Sequence, residues 1–196
     1  MPANLESTRT CSFAEDCIMK TMLLLIITAV VSSSAVMAQA KVVHFKKLQE
    51  CLPTKELTGL KRNKPTGTTQ TSMGMSTSEA AVRYATEATE DTTPVQSRSI
   101  EIKIADMVMI PYALMAFGYQ QDYENESEEG YQKSVLVLKK YKGMEEGKTG
   151  DSKSSKISFG VANRYIVTID TYGFPDNKIL YTLVDAMDLD KLEKLN

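Results

Sequence analysis

Isoleucine returns at every second position of "SIEIKIA", residues 99–105, with Glu101 and Lys103 between. An extended chain sends alternate side chains to opposite faces, so Ile100, Ile102 and Ile104 share one oily side. A helix would scatter them around its circumference. The pattern demands a strand covered on one face and wet on the other, and such a strand needs neighbours. "KISFGVANRYIVTIDTYG", residues 156–173, supplies two of them, over 157–161 and 165–171. Ala162, Asn163 and Arg164 make the turn between them, where Asn tolerates a left-handed backbone. "YQKSVLVLKKY", residues 131–141, sets Val135 and Val137 against Leu136 and Leu138 and predicts a central strand covered partly on both sides. "AAVRYATEA", residues 80–88, fits a weaker strand or a short helix.

Helical spacing marks both ends of this region. "KVVHFKKLQECLP" puts Val42, Phe45, Leu48 and Leu52 on one face, and Pro53 stops the helix. "PDNKILYTLVDAMDLDKLEKL" begins with Pro175 at a favourable first helical position. Its stripe is Ile179, Leu180, Leu183, Val184 and Met187, and Asp188 caps a last short turn. Another short helix is expected from Pro111. The polar run over 54–79 reads as a long loop or irregular strand, "QQDYENESEEG" as an acidic loop, and "KGMEEGKTGDSKSS" as a loop or wide hairpin. The expected fold class is α+β: a single antiparallel sheet of about four to six strands, packed with N- and C-terminal helices on one face.

Ahead of this region lies "MKTMLLLIITAVVSSSAVMAQA", residues 19–40. Its oily part, 22–31, is about half of the roughly 20 apolar residues that a membrane span needs. The small residues Ala38 and Ala40 suit a signal peptidase, so a signal peptide cut after Ala40 is expected. Residues 1–18 carry Glu6, Glu15 and Asp16 against Arg9, which fits an over-extended start or a disordered tail rather than a basic leader. Residues 41–196 would then form a single exported domain, periplasmic or secreted, with no stable membrane insertion after cleavage.

Setting aside Arg9 and Lys20 leaves 21 of the 23 basic residues; setting aside Glu6, Glu15 and Asp16 leaves 22 of the 25 acidic ones. A nearly neutral domain without a basic stripe gives no reason to expect a nucleic-acid partner. Of three cysteines only Cys51 follows Ala40, so a core rather than a disulfide must hold the fold. Cys51 itself fits a buried helix position.

Motifs for chemistry are few. Gly143 followed by Gly147-Lys148-Thr149 imitates a phosphate loop, but three residues separate the glycines where four are needed, and Glu145 and Glu146 would repel phosphate. His44 is the sole histidine and has no H-x-x-x-H or cysteine companion. Asp185, Asp188 and Asp190 lack the spacing and glycine of a calcium loop, and capping explains them better. The carboxylates of the acidic loop, Asp122 to Glu129, suit a solvated loop or a weak cation site. Within it Asn125-Glu126-Ser127 matches a glycosylation triplet. Tyr112, Met115 and Tyr119 share a helical face and are candidate walls of a ligand groove. No cofactor, metal site or catalytic residue is expected.

The cadence from "GYQKSVLVLKKYKGMEE" through "ISFGVANRYIVTIDTYG" to "LVDAMDLDKLEKL" resembles that of small bacterial exported domains of unknown function. The layout is similar to the PsbP/Mog1-like α+β fold, which implies a central antiparallel sheet flanked by helices and supplies no catalytic residues. The function expected from these observations is a non-catalytic binding domain for a protein partner or small ligand in the cell envelope, contacting it through the segments 54–75 or 120–130. Two alternatives stand beside it. One is an envelope hydrolase built on carboxylates and His44; the other is a domain tethered by an uncleaved signal.

Overall fold

The computed structural model describes residues 41–72, 75–86, 97–107, 123–150, 153–174 and 176–195. Within them the chain forms one antiparallel sheet of nine strands. The strands are β1 (Lys61–Arg62), β2 (Thr66–Ser72), β3 (Met75–Ala85), β4 (Ser99–Asp106), β5 (Glu124–Ser127), β6 (Gly130–Val137), β7 (Tyr141–Lys148), β8 (Ser154–Val161) and β9 (Tyr165–Tyr172). Three short helices accompany them: α1 (Phe45–Gln49), α2 (Lys178–Asp185) and α3 (Leu189–Glu193). The strand order is β1-β3-β4-β9-β8-β7-β6-β5, and β2 also pairs with β3, on the side that β1 uses. From β4 the chain passes to the far edge, then returns strand by strand until β9 closes against β4.

This corrects the expected sheet of about four to six strands packed between terminal helices; strand dominates and the helices are small. The missed strands lack oily alternation for physical reasons. In β2, "TGTTQTS", all seven residues are exposed, and β-branched threonine rather than burial favours the extended chain. In β7 the residues facing the core are Tyr141, Gly143, Glu145 and Gly147, so a carboxylate and two glycines stand where aliphatic side chains were sought. The central placement of residues 131–141 is also corrected. That run is β6, a turn and the start of β7, and Leu136 and Leu138 are 57% and 51% exposed.

The strands read from alternation hold. Ile100, Ile102 and Ile104 of β4 pair with Thr171, Ile169 and Val167 of β9, and Ile157 and Phe159 of β8 continue the rows. All are buried, and each aliphatic side chain removed from water contributes about 1.5–3 kcal/mol. Phe45 of α1 lies against Gly67, and Leu48, Leu180, Leu183, Val184 and Leu192 join the same core, so the helices cover this one face. Asp188 caps α3 by accepting from Lys191 N at 2.9 Å, as expected. At α1, His44 Nδ1 accepts from Lys46 N at 3.3 Å. The turns at 138–140 and 162–164 each hold two consecutive residues at positive φ: Leu138 and Lys139, then Ala162 and Asn163.

A buried ion pair ties the start of this domain to the sheet. Arg164 donates through Nε to Asp106 Oδ1 at 3.0 Å and through Nη2 to Oδ2 at 2.8 Å. Asp106 Oδ2 also accepts from Val43 N at 2.7 Å, and Arg164 Nη2 donates to the Lys41 carbonyl at 2.8 Å. A buried carboxylate is tolerable only when its oxygens are filled in this way.

Candidate functional site

Helix α2 packs over β8 and β9, and the period-two geometry of β7 carries Glu145 to the same covered face. The side chain of Glu145 is fully buried. Four groups meet it there. Tyr131 Oη of β6 donates to Oε1 at 2.7 Å. Asn177 Nδ2, at the start of α2, donates to Oε1, and Tyr181 Oη, one turn into α2, donates to Oε2. Lys133 Nζ, paired across β6–β7, stands 3.6 Å from Oε1. Asn177 Nδ2 also donates to Tyr131 Oη at 3.2 Å, which closes the network. The flanking glycines belong to this packing. A side chain at Gly147 would run into the Tyr131 ring, and one at Gly143 into the Ser158 carbonyl and Phe159 Cβ of the neighbouring strand. The imitation of a phosphate loop is therefore a strand in which Gly147 admits an aromatic ring and Gly143 a close approach of β8.

The network sets the protonation of its members. Burial pushes the Glu145 carboxyl up, but hydrogen bonds from Tyr181, Tyr131 and Asn177, with the Lys133 ammonium, outweigh it and hold the group below its ordinary value. Burial and then the bonded carboxylate push the Tyr131 phenol up to about 12. The same two causes, in the same order, raise Tyr181. At neutral pH the site thus holds one ionised carboxylate and two protonated phenols.

Beside this network lies a groove of about 510 Å³. Its charged lining is Glu124, Glu126 and Asp176 against Lys133, Lys148 and Lys153, an even balance. Tyr131 and Phe174 add ring surface, and the Arg98 guanidinium lies 5.9 Å from the centre of the Phe174 ring. Most of the remaining lining is polar, so the groove offers a ligand hydrogen-bonding groups with little apolar surface.

The uncovered face of the sheet carries a different pattern. The register aligns Arg83, Glu101, Asp170, Lys156, Glu146 and Gln132 in one row across six strands. Part of this row borders a second groove, of about 480 Å³. Burial raises the Asp170 carboxyl, opposed by Lys156 and assisted by Glu101.

The residues singled out in the sequence fall elsewhere. Ala38, Ala40, Tyr112, Met115, Tyr119, the expected helix from Pro111 and Asp122 lie outside the described residues. Cys51 is buried just past α1, and burial pushes its thiol up to about 11, so it is a packing residue. His44 is exposed and stacks on Phe45 with ring centres 4.5 Å apart; among the described residues no carboxylate is bonded to it. The two segments expected to make contacts, 54–75 and 120–130, contain the opposite edges of the sheet, β1 with β2 and β5. Sequence reasoning missed the Glu145 network. A period-two reading of "YKGMEEGK" would have found Glu145 in line with Tyr141, but the glycines concealed the strand.

Among the described residues, no group of three or more His, Cys, Asp or Glu side chains is placed to hold a metal ion, and no helix is long and apolar enough to cross a membrane. No family model, curated protein or solved structure matches this chain.

Proposed function

We propose that the domain is an exported, non-catalytic binding module that holds a small neutral or zwitterionic polar ligand in the groove beside Glu145. The observation that carries this reading is the use made of Glu145. Both its oxygens are taken by the chain's own donors, and three of the groups around it, Tyr131, Asn177 and Lys133, also line the groove. A carboxylate committed in this way fixes side chains in position, which lowers the ordering cost of binding. The balanced lining disfavours a strongly charged ligand, whereas ring surface beside alternating acceptors and ammonium groups suits a sugar or an amino acid. Catalysis would need a group left ready to take or give a proton near neutrality, and the two phenols are held protonated. Export rests on Ala38 and Ala40 in the sequence.

The test is ligand-observed NMR on protein recovered from outside the cytosol, with its N-terminus read by mass spectrometry. The probes are neutral monosaccharides and zwitterionic amino acids. At least one should bind saturably, and K153A together with F174A should weaken it by about tenfold or more, the loss of roughly 1.4 kcal/mol. Saturable binding unaffected by both changes, or no binding by either class, would remove the groove from consideration.

A further inference from the structure

The two edges of the sheet are built differently. At one edge, β5 carries Glu124 and Glu126, with Glu128 and Glu129 in the adjoining turn. Charges on an edge strand repel a second strand of the same kind, a common guard against unwanted pairing. At the other edge β1 carries Lys61 and Arg62, again guarded. Strand β2, on that same edge, has no guard. Its seven residues, Thr66–Ser72, contain no charge and no proline, and all are exposed.

The main chain of β2 is open on its outer side. Among the described residues, β2 pairs only with β3, and no main-chain hydrogen bond reaches it from any other element. Two residues separate the partners Ser72 and Met75. In a hairpin of that length the closing pair bonds inward, and alternate residues then point away. The outward groups are the N–H and C=O of Gly67, Thr69 and Thr71. Side chains on the covered face are already settled: Thr69 Oγ1 accepts from Phe45 N at 3.0 Å and shares a hydrogen bond with Ser78 Oγ at 2.8 Å, and Thr71 does the same with Ser76.

We infer that β2 pairs antiparallel with β2 of a second copy of this chain, across a two-fold axis through Thr69, so that two sheets become one. The register follows from the outward groups. Gly67 meets Thr71 of the second copy, Thr69 meets Thr69, and Thr71 meets Gly67. Each pair exchanges two main-chain bonds, on the order of six in all. Between them Thr68 meets Gln70 and Thr66 meets Ser72. Every opposed pair is uncharged, and threonine pairs across strands are favourable. The same symmetric pairing at β5 would set glutamates against glutamates. One strand pair covers less surface than a standard stable interface, so the dimer forms reversibly and depends on concentration.

Sedimentation of the full chain over a range of concentrations tests this, with hydrogen exchange followed at the same concentrations. A monomer on dilution and a dimer when concentrated are expected, with the amides of Gly67, Thr69 and Thr71 exchanging more slowly only in the dimer. T68K/Q70K, which places ammonium groups opposite one another on the uncovered face, should stay monomeric with an unchanged melting temperature. A monomer at every concentration overturns the inference. So do a dimer in which those amides stay fast, a dimer that T68K/Q70K leaves intact, and open-ended polymers, which signify β2 pairing with β5.

Discussion

Glu145 gathers a phenol from β6, a phenol and an amide from α2, and an ammonium from β6. Its folded-state pKa lies below the ordinary 4.5. The unfolded chain therefore binds its proton more tightly than the folded one. The stabilisation is fully present above that ordinary value and is lost as pH falls through the folded value. Denaturant melts between pH 7 and pH 3 should show stability declining below the ordinary carboxylate range. In E145Q that part of the decline should be absent, and stability at pH 7 should be lower by about 1–3 kcal/mol, because an amide cannot accept from all the donors. An E145Q profile that overlays the parent would mean the network adds nothing to stability. None of this was legible in the sequence, where Glu145 looked like a loop charge. Asp188 was legible because a capping residue acts on its nearest neighbours in the chain.

Elements were readable wherever the covered face is aliphatic. β4 and β9 alternate without interruption. β7 hid because its covered face carries two glycines, one making room for the Tyr131 ring of β6 and one for the close approach of β8. That arrangement is itself testable. G147A places a methyl group where the Tyr131 ring lies, and overpacking of this kind costs about 1–3 kcal/mol. Thermal denaturation should show the loss, together with weakened protection of the Tyr181 hydroxyl network at α2. A neutral G147A would imply that the ring moves aside freely. The closing helix was legible as a stripe, but Met187 and Asp188 divide it into α2 and α3. The turns at 138–140 and 162–164 were only half legible. Asn163 announces a positive φ, whereas Leu138 and Ala162 adopt one against their preference.

At the scale of the whole molecule, the sheet is closed by contacts between distant parts of the sequence. β4, at the middle of the chain, pairs along its length with β9 from the last quarter. Arg164 and Asp106 hold the backbone at Lys41 and Val43. Single-sequence reading sees periodicity within a segment and is blind to such pairings, so the β4–β9 seam was not foreseen. R164A should cost about 3–5 kcal/mol, since it leaves Asp106 buried without its cation. Urea titration checks this, and R164A/D106N should recover part of the loss. Equal losses in the single and double changes would show that the charge on Asp106 is not what Arg164 neutralises.

Arg164 reaches back 123 positions to grasp the Lys41 carbonyl. Until the final third of the polypeptide has emerged from the ribosome, neither that grasp nor the β4–β9 seam exists, and pairings so remote in sequence form slowly. The growing chain stays open for most of its synthesis, and it shuts only after its C-terminal strands arrive.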